Sequence, residues 1–195
     1  NNIRSYIKEN EARFLDELFS LIRIPSISAE PAHQADMLQC AERWRELLIA
    51  AGVDHAEVMP SAGNPLVFAE KHVDDDAPTV LVYGHYDVMP VDPLELWLSV
   101  PFEPEVRDER IFARGADDDK GQSFIQLKAF EYLVRTRQLN HNVKFIFEGE
   151  EEIGSPSLNG FLQQHHDLLK CDIILVSDTS MLAADLPSLT TGLRG

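Results

Sequence analysis

Only two cysteines, Cys40 and Cys171, occur in 195 residues, too few for a disulfide framework or a zinc knuckle. Cys40 sits within an apolar helical pattern and Cys171 just before an apolar run, so both read as small core residues, and a reducing compartment is expected. Positive charge is also scarce: 17 Lys and Arg against 33 Asp and Glu leave a net charge of −16. Nucleic acid and anionic membrane surfaces are thereby excluded as partners, since both require clustered Lys and Arg. No apolar run approaches the ~20 residues that span a bilayer. The start, Asn1-Asn2-Ile3-Arg4, has no signal-peptide core, so a cytoplasmic chain is expected, although the absence of an initial Met leaves a removed leader open. Internal repeats and low-complexity segments are lacking as well.

The length suits one domain with a sizeable core. Phe14, Leu15, Leu18, Leu21 and Ile22 recur at helical spacing up to Pro25, which predicts a first helix of roughly four turns. A second is predicted from about His33 to Ala51, with Met37, Cys40, Ala41, Trp44, Leu47, Leu48 and Ala51 on one side and Gly52 as its stop. Short continuous apolar runs at 65–69, 79–83, 143–147 and 172–176 then read as buried strands. Between them a helix with Phe124, Leu127, Phe130, Leu133 and Val134 inward is predicted. A second, capped by Ser155-Pro156, carries Leu158, Phe161, Leu162 and Leu168. Strands alternating with helices predict an α/β three-layer sandwich, a largely parallel central sheet with helices on both faces.

Acids gather at the ends of these runs: Gly84-His85-Tyr86-Asp87, Asp117-Asp118-Asp119-Lys120-Gly121, Glu150-Glu151-Glu152 and Ser177-Asp178. Carboxylates sharing one cleft repel unless a cation neutralises them, so together the segments suggest a metal site. His85 and Asp87 share a face if the strand geometry persists, which suits an imidazole ligand and a carboxylate that orients it. One of the three aspartates could bridge two cations held ~3.5–4 Å apart, facing the positive end of the helix that opens beside them. Neighbouring glutamates point to different sides, which allows one to ligate while the next serves as general base. Each segment alone has a plainer reading: a solvated loop for the aspartates, a charged loop for the glutamates, an Asx turn or helix cap for Asp178. His33, His55, His72, His141, His165 and His166 have no comparable setting.

At these residues the sequence resembles the cocatalytic zinc metallopeptidase family of carnosinase-type dipeptidases, glutamate carboxypeptidase, aminoacylase and the acetylornithine and succinyl-diaminopimelate deacylases. The resemblance runs through Gly84-His85-Tyr86-Asp87-Val88 with Pro90, residues 114–121, residues 148–155 and Ser177-Asp178, and extends from Ile24-Pro25-Ser26 to Gly192-Leu193-Arg194-Gly195. It implies His85, Asp118 and Asp178 as ligands of a first metal, with Asp118 bridging to a second held by Glu152. Asp87 would orient His85, and Glu151 would be the general base. A cis peptide between Asp118 and Asp119 is implied too. The expected cofactors are two Zn ions, or Mn or Co, and the expected reaction is hydrolysis of a peptide bond in a dipeptide or small peptide. Tyr86, Val91-Asp92-Pro93-Leu94 with Trp97, and the glutamate run look most like the dipeptidase branch.

Members of the family are roughly twice as long. Residues 1–190 are therefore expected to be the N-terminal segment of the catalytic domain, and residues 191–195 the start of the connection to a lid and dimerisation domain. The second metal's histidine would lie beyond Gly195, and this segment alone is expected to turn over negligibly, the complete protein being a homodimer. The competing readings are an N-acyl amino acid deacylase of the same family, a two-metal phosphoesterase, and a non-catalytic binding module that keeps the fold.

Overall fold

The computed structural model describes residues 2–183, 185, 186 and 188–191. Of residues 191–195, where the connection to a further domain was expected, 192–195 lie outside the described residues.

Asn2 starts the first helix, α1 (Ile3–Ile22), its side chain accepting the Arg4 N–H at 3.1 Å. The second, α2 (Gln34–Ala51), buries the same seven residues its apolar spacing predicts and ends at Gly52, whose φ of 108° suits glycine. Strands β1 (His55–Met59), β2 (Leu66–Lys71) and β3 (Thr79–His85) follow, then a small hairpin of β4 (Glu105–Arg107) and β5 (Arg110–Phe112). Next come α3 (Lys120–Arg135), β6 (Asn142–Glu148), α4 (Leu158–Gln164) and β7 (Ile173–Val176).

The main sheet has the order β1-β2-β6-β3-β7. Strand β3 is parallel to β6 and to β7, while β2 is antiparallel to β1 and to β6, so β2 alone runs against the rest. Alternation along the strands gives the sheet two apolar faces. Val67, Ala69, Val82, Phe145 and Phe147 pack against α1, α2 and α3 around the fully buried Trp44. Leu66, Phe68, Leu81 and Ile146 face the other way, onto Phe161 of α4 and Leu169. The expected three-layer α/β sandwich is therefore present, with the α4 face the thinner of the two.

Three local features differ from the sequence-based expectations. Strand β1 was not anticipated, because as an edge strand it buries only Met59 fully. The β4–β5 hairpin turns through Asp108 and Glu109 at φ 49° and 61°, positions where Asn-Gly would have announced it. Ser155-Pro156 does not cap α4. Ser155 has φ 51° and donates its hydroxyl to Glu148 at 2.9 Å, the helix starts at Leu158, and Leu162 is exposed. Among the described residues no helix is long and apolar enough to cross a membrane.

Candidate metal centre

Register brings the acidic segments together. His85, the last residue of β3, lies opposite Glu148 of β6, and Tyr83 lies opposite Val176 of β7. Three parallel strands thus end at one edge, with the glutamate run leaving β6 and Asp178 following β7, the position where open α/β sheets place their sites. The aspartate loop reaches the same edge because α3 packs hard on β3 at Gly84 and the loop folds hard on the α3 start at Gly121. A Cβ on Gly84 would lie 2.0 Å from Ser123 Oγ, and one on Gly121 would lie 1.9 Å from the Ala116 carbonyl oxygen. The peptide between Asp118 and Asp119 is cis.

His85 is fully buried. Its Nδ1 lies 3.1 Å from the Asp87 carbonyl oxygen and 3.3 Å from Asp87 Oδ1. Both are acceptors, so Nδ1 carries a proton, and in the neutral ring the lone pair sits on Nε2. Around Nε2 stand Asp118 Oδ1 at 3.1 Å, Asp178 Oδ2 at 3.5 Å and Glu151 Oε2 at 3.9 Å. None makes a hydrogen bond to it, and Nε2 is a buried nitrogen without a partner. One ligand atom each from His85, Asp118 and Asp178 lies within 4.8 Å of the others, a cluster of the size that grips one cation. An imidazole nitrogen with carboxylate oxygens suits Zn, Mn or Co, so the residues present fit the implied metal.

Asp87 ties the site to the glutamate run. Its Oδ1 accepts the Glu151 N–H at 3.2 Å and its Oδ2 the Glu152 N–H at 3.1 Å, which holds the short 3₁₀ turn Glu151–Ile153 against β3. The three glutamates separate. Glu150 turns back to accept the N–H groups of Asn64 and Ser157, each at 3.0 Å, whereas Glu151 points towards His85. Gly149 serves close packing here: a Cβ there would lie 2.4 Å from the Tyr86 ring.

The electrostatics record the crowding. Burial disfavours the His85 imidazolium, yet the hydrogen bond and charge of Asp87, with Asp119 and Asp118, outweigh it and push the pKa up to about 10. Burial also raises Asp119 to about 6, although Ser123 and the His85 N–H both donate to it. Glu152 is raised by burial and then by Asp118, and Glu148 by burial. A field that favours a proton on His85 this strongly favours any cation in its place.

His85, Asp118 and Asp178 are brought together, with Asp87 beneath and Glu151 at the rim. Glu152 stands beside them within electrostatic reach of Asp118 and outside the three-residue cluster. Sequence reasoning missed Asp119. Fully buried, it accepts the His85 N–H at 3.1 Å and the Ser123 hydroxyl at 2.7 Å, bracing the end of β3. It also missed Lys120, fully buried with Nζ on the carbonyls of Leu21 and Ile24 at 3.0 and 2.7 Å. The lysine's place beside the aspartates at a helix start was the available signal.

Residues 81–188, which contain every member of this cluster, match the profile of peptidase family M20/M25/M40. The chain belongs to that family. A cysteinylglycine-S-conjugate dipeptidase of Corynebacterium striatum is 32% identical over 188 residues, 95% of this chain and 41% of that protein. The M20 metallo-carboxypeptidase Sso-CP2 of Sulfolobus solfataricus is similar in structure, with a TM-score of 0.79 and 36% identity over 86% of this chain and 38% of that one. Human carnosine dipeptidase 1 gives a TM-score of 0.82 with 28% identity, covering 90% of this chain and 40% of that one. The chain therefore spans about 40% of the length of these M20 relatives.

Proposed function

We propose that the protein carries the metal-binding half of a peptidase site that hydrolyses the amide bond of dipeptides or small peptides. The observation that carries this reading is the convergence of His85, Asp118 and Asp178 within 4.8 Å, with the Glu151 carboxylate 3.9 Å from the same imidazole nitrogen. In this reading His85 Nε2, Asp118 and Asp178 hold one Zn, Mn or Co ion, and Glu152, beside Asp118, contributes to a second. When bound, the metal pair supplies Lewis acidity towards the scissile carbonyl and lowers the pKa of water.

The chain's own residues supply the rest. Asp87 keeps the His85 proton on Nδ1, so Nε2 faces the site as a lone pair. Through the Glu151 and Glu152 amides the same carboxylate sets where the two glutamates begin. Glu151 stands at the open rim, positioned to take a proton from water at its Oε2 and return it to the leaving amine. The dipeptidase names among the relatives support a dipeptide substrate. A homodimer, on the family resemblance alone, and a cytoplasmic location, on the composition and the N-terminal residues alone, complete the reading.

The test is a panel of dipeptides, N-acyl amino acids and a phosphate ester, assayed with Zn and with Mn on the purified protein and on any longer chain that contains it. Dipeptide hydrolysis lost on chelation and restored by metal is expected of the longer chain, and negligible turnover of the 195 residues alone. Glu151→Gln should lower kcat by ~10²–10⁴-fold while metal is still bound. Hydrolysis of N-acyl amino acids but not dipeptides would replace the dipeptidase reading with the deacylase one.

A further inference from the structure

The segment that leaves α1 is strapped along the site. Ser26 Oγ donates to the Tyr86 carbonyl at 2.6 Å, the Val88 N–H donates to the Ser26 carbonyl at 2.9 Å, and Ile27 pairs with Val88 in a parallel bridge. Ser26 and Ile27 are buried. From the other side the Lys120 ammonium grips the Leu21 and Ile24 carbonyls. The register of this strap is therefore fixed, and at its end Ser28 Oγ lies 2.6 Å from Asp87 Oδ2. A carboxylate has no proton to give when ionised, so the hydroxyl donates.

Asp87 is fully buried and works as a four-way junction. It accepts from two backbone amides, Glu151 and Glu152, faces the His85 ring, and takes the Ser28 hydroxyl as the shortest of its hydrogen bonds. The amides belong to the turn that Asp87 is itself positioning, whereas Ser28 belongs to the strap, which is anchored on the Tyr86 and Val88 backbone and by Lys120 at the α1 end. Ser28 is thus the contact that ties the junction to a fixed part of the fold. A buried carboxylate short of one donor rotates or shifts to recover it, and both the ring of His85 and the start of the glutamate turn follow.

We propose that Ser28 is a positioning residue of the site, acting through Asp87 to set the orientation of His85 and the placement of Glu151 and Glu152. The proposal rests on the reading of the cluster as a metal-dependent hydrolytic site. Partners of ligating groups typically contribute about 10–100-fold in metal affinity or activity, and Ser28→Ala is expected to fall in that range.

The experiment compares the wild type with Ser28→Ala, Ser28→Thr and Ser28→Cys. Zinc affinity is read by competition with a chromophoric chelator, and amide exchange at Glu151 and Glu152 is followed in the metal-free protein. Ser28→Ala should weaken zinc binding about 10–100-fold and speed exchange at both amides, and Ser28→Thr, which keeps the hydroxyl, should restore both. If Ser28→Ala does not fold, Ser28→Cys, which keeps the volume but offers a weak donor, should show the same loss in milder form. Wild-type zinc affinity and exchange in Ser28→Ala would overturn the proposal. So would a loss in Ser28→Thr as large as in Ser28→Ala, since packing and not the hydroxyl would then be responsible. A wild type that takes up no zinc would sink the hydrolase reading instead, and exchange at the two amides would still decide the role of Ser28.

Discussion

Glu131 offers a quantitative test of how α1 is held to α3. Its side chain is 1% exposed and sits among three cations: Arg13 Nη2 at 2.5 Å, Lys128 Nζ at 2.7 Å and Arg135 Nε at 2.9 Å, with the Tyr6 hydroxyl also at 2.9 Å. Burial raises the carboxyl pKa, but the hydrogen bonds and charges of Arg13 and Lys128 overcome it and bring it from 4.5 down to about 2. A folded-state pKa below the unfolded one means that the stabilisation is complete above about pH 4.5 and is lost as pH falls towards 2. The difference corresponds to about 3 kcal/mol at neutral pH, of which roughly 2 kcal/mol is gone by pH 3. Glu131→Gln should therefore cost about 3–5 kcal/mol at pH 7, because Arg13 and Lys128 are left sharing Glu17 and Arg135 loses its carboxylate. Urea unfolding of wild type and variant at pH 7, 4 and 3 measures this, and the gap between them should narrow by roughly 2 kcal/mol across that range. A gap that stays constant from pH 7 to pH 3 would show that the ion cluster contributes no pH-linked stability, and the reasoning would fail.

Other expectations follow from single contacts. Gly149→Ala would drive a Cβ to 2.4 Å from the Tyr86 ring and 2.9 Å from Met37 Cε, so a loss of ~1–3 kcal/mol is expected in chemical unfolding. Trp44→Ala removes a fully buried side chain whose ring lies 4.6 Å from that of Phe147, and should cost ~3–5 kcal/mol in the same assay. Asp178→Asn removes a charged donor from the three-residue cluster and should weaken zinc binding by more than the ~10–100-fold typical of supporting residues, leaving the circular dichroism spectrum unchanged.

The parts of the fold that sequence reasoning reached are those whose burial writes a pattern. Val80-Leu81-Val82 and Phe145-Ile146-Phe147 are continuous apolar runs because β3 and β6 are covered on both faces, and Trp44 with its neighbours marks the inner side of α2. Strand β1 and the β4–β5 hairpin write no such pattern, being shallow or exposed. In the site, Glu150 and Glu151 do leave in different directions, but through the 3₁₀ turn that starts at Glu151 and not through the strand alternation that suggested it. Alternation cannot choose among Asp117, Asp118 and Asp119. Asp119 folds inward to brace the His85 amide while Asp118 stays exposed and turns to the imidazole, a choice set by the packing of α3 on β3 at Gly84 and of the loop on the α3 start at Gly121. Ser28 was invisible for a related reason. Its partner is 59 residues away and meets it only because the strap after α1 pairs with residue 88.

The place of the site in the sheet follows from strand order. Strand β3 lies between β6 and β7, so a residue at its end has a loop from each neighbour within reach, which no edge strand offers. His85 occupies that position, and the carboxylates come to it from both sides: Glu151 after β6 and Asp178 after β7, with Asp118 arriving from the α3 start. The nearest buried cation, Lys120, spends its ammonium on carbonyls of the α1 end and not on these acids. Burial, and after it the charge of Asp118, raises Glu152, and burial raises Asp119 to about 6. Lys120 serves the scaffold, and its charge does not compensate the acids. The same lysine that fixes the strap therefore leaves the candidate cluster of His85, Asp118 and Asp178 without its charge.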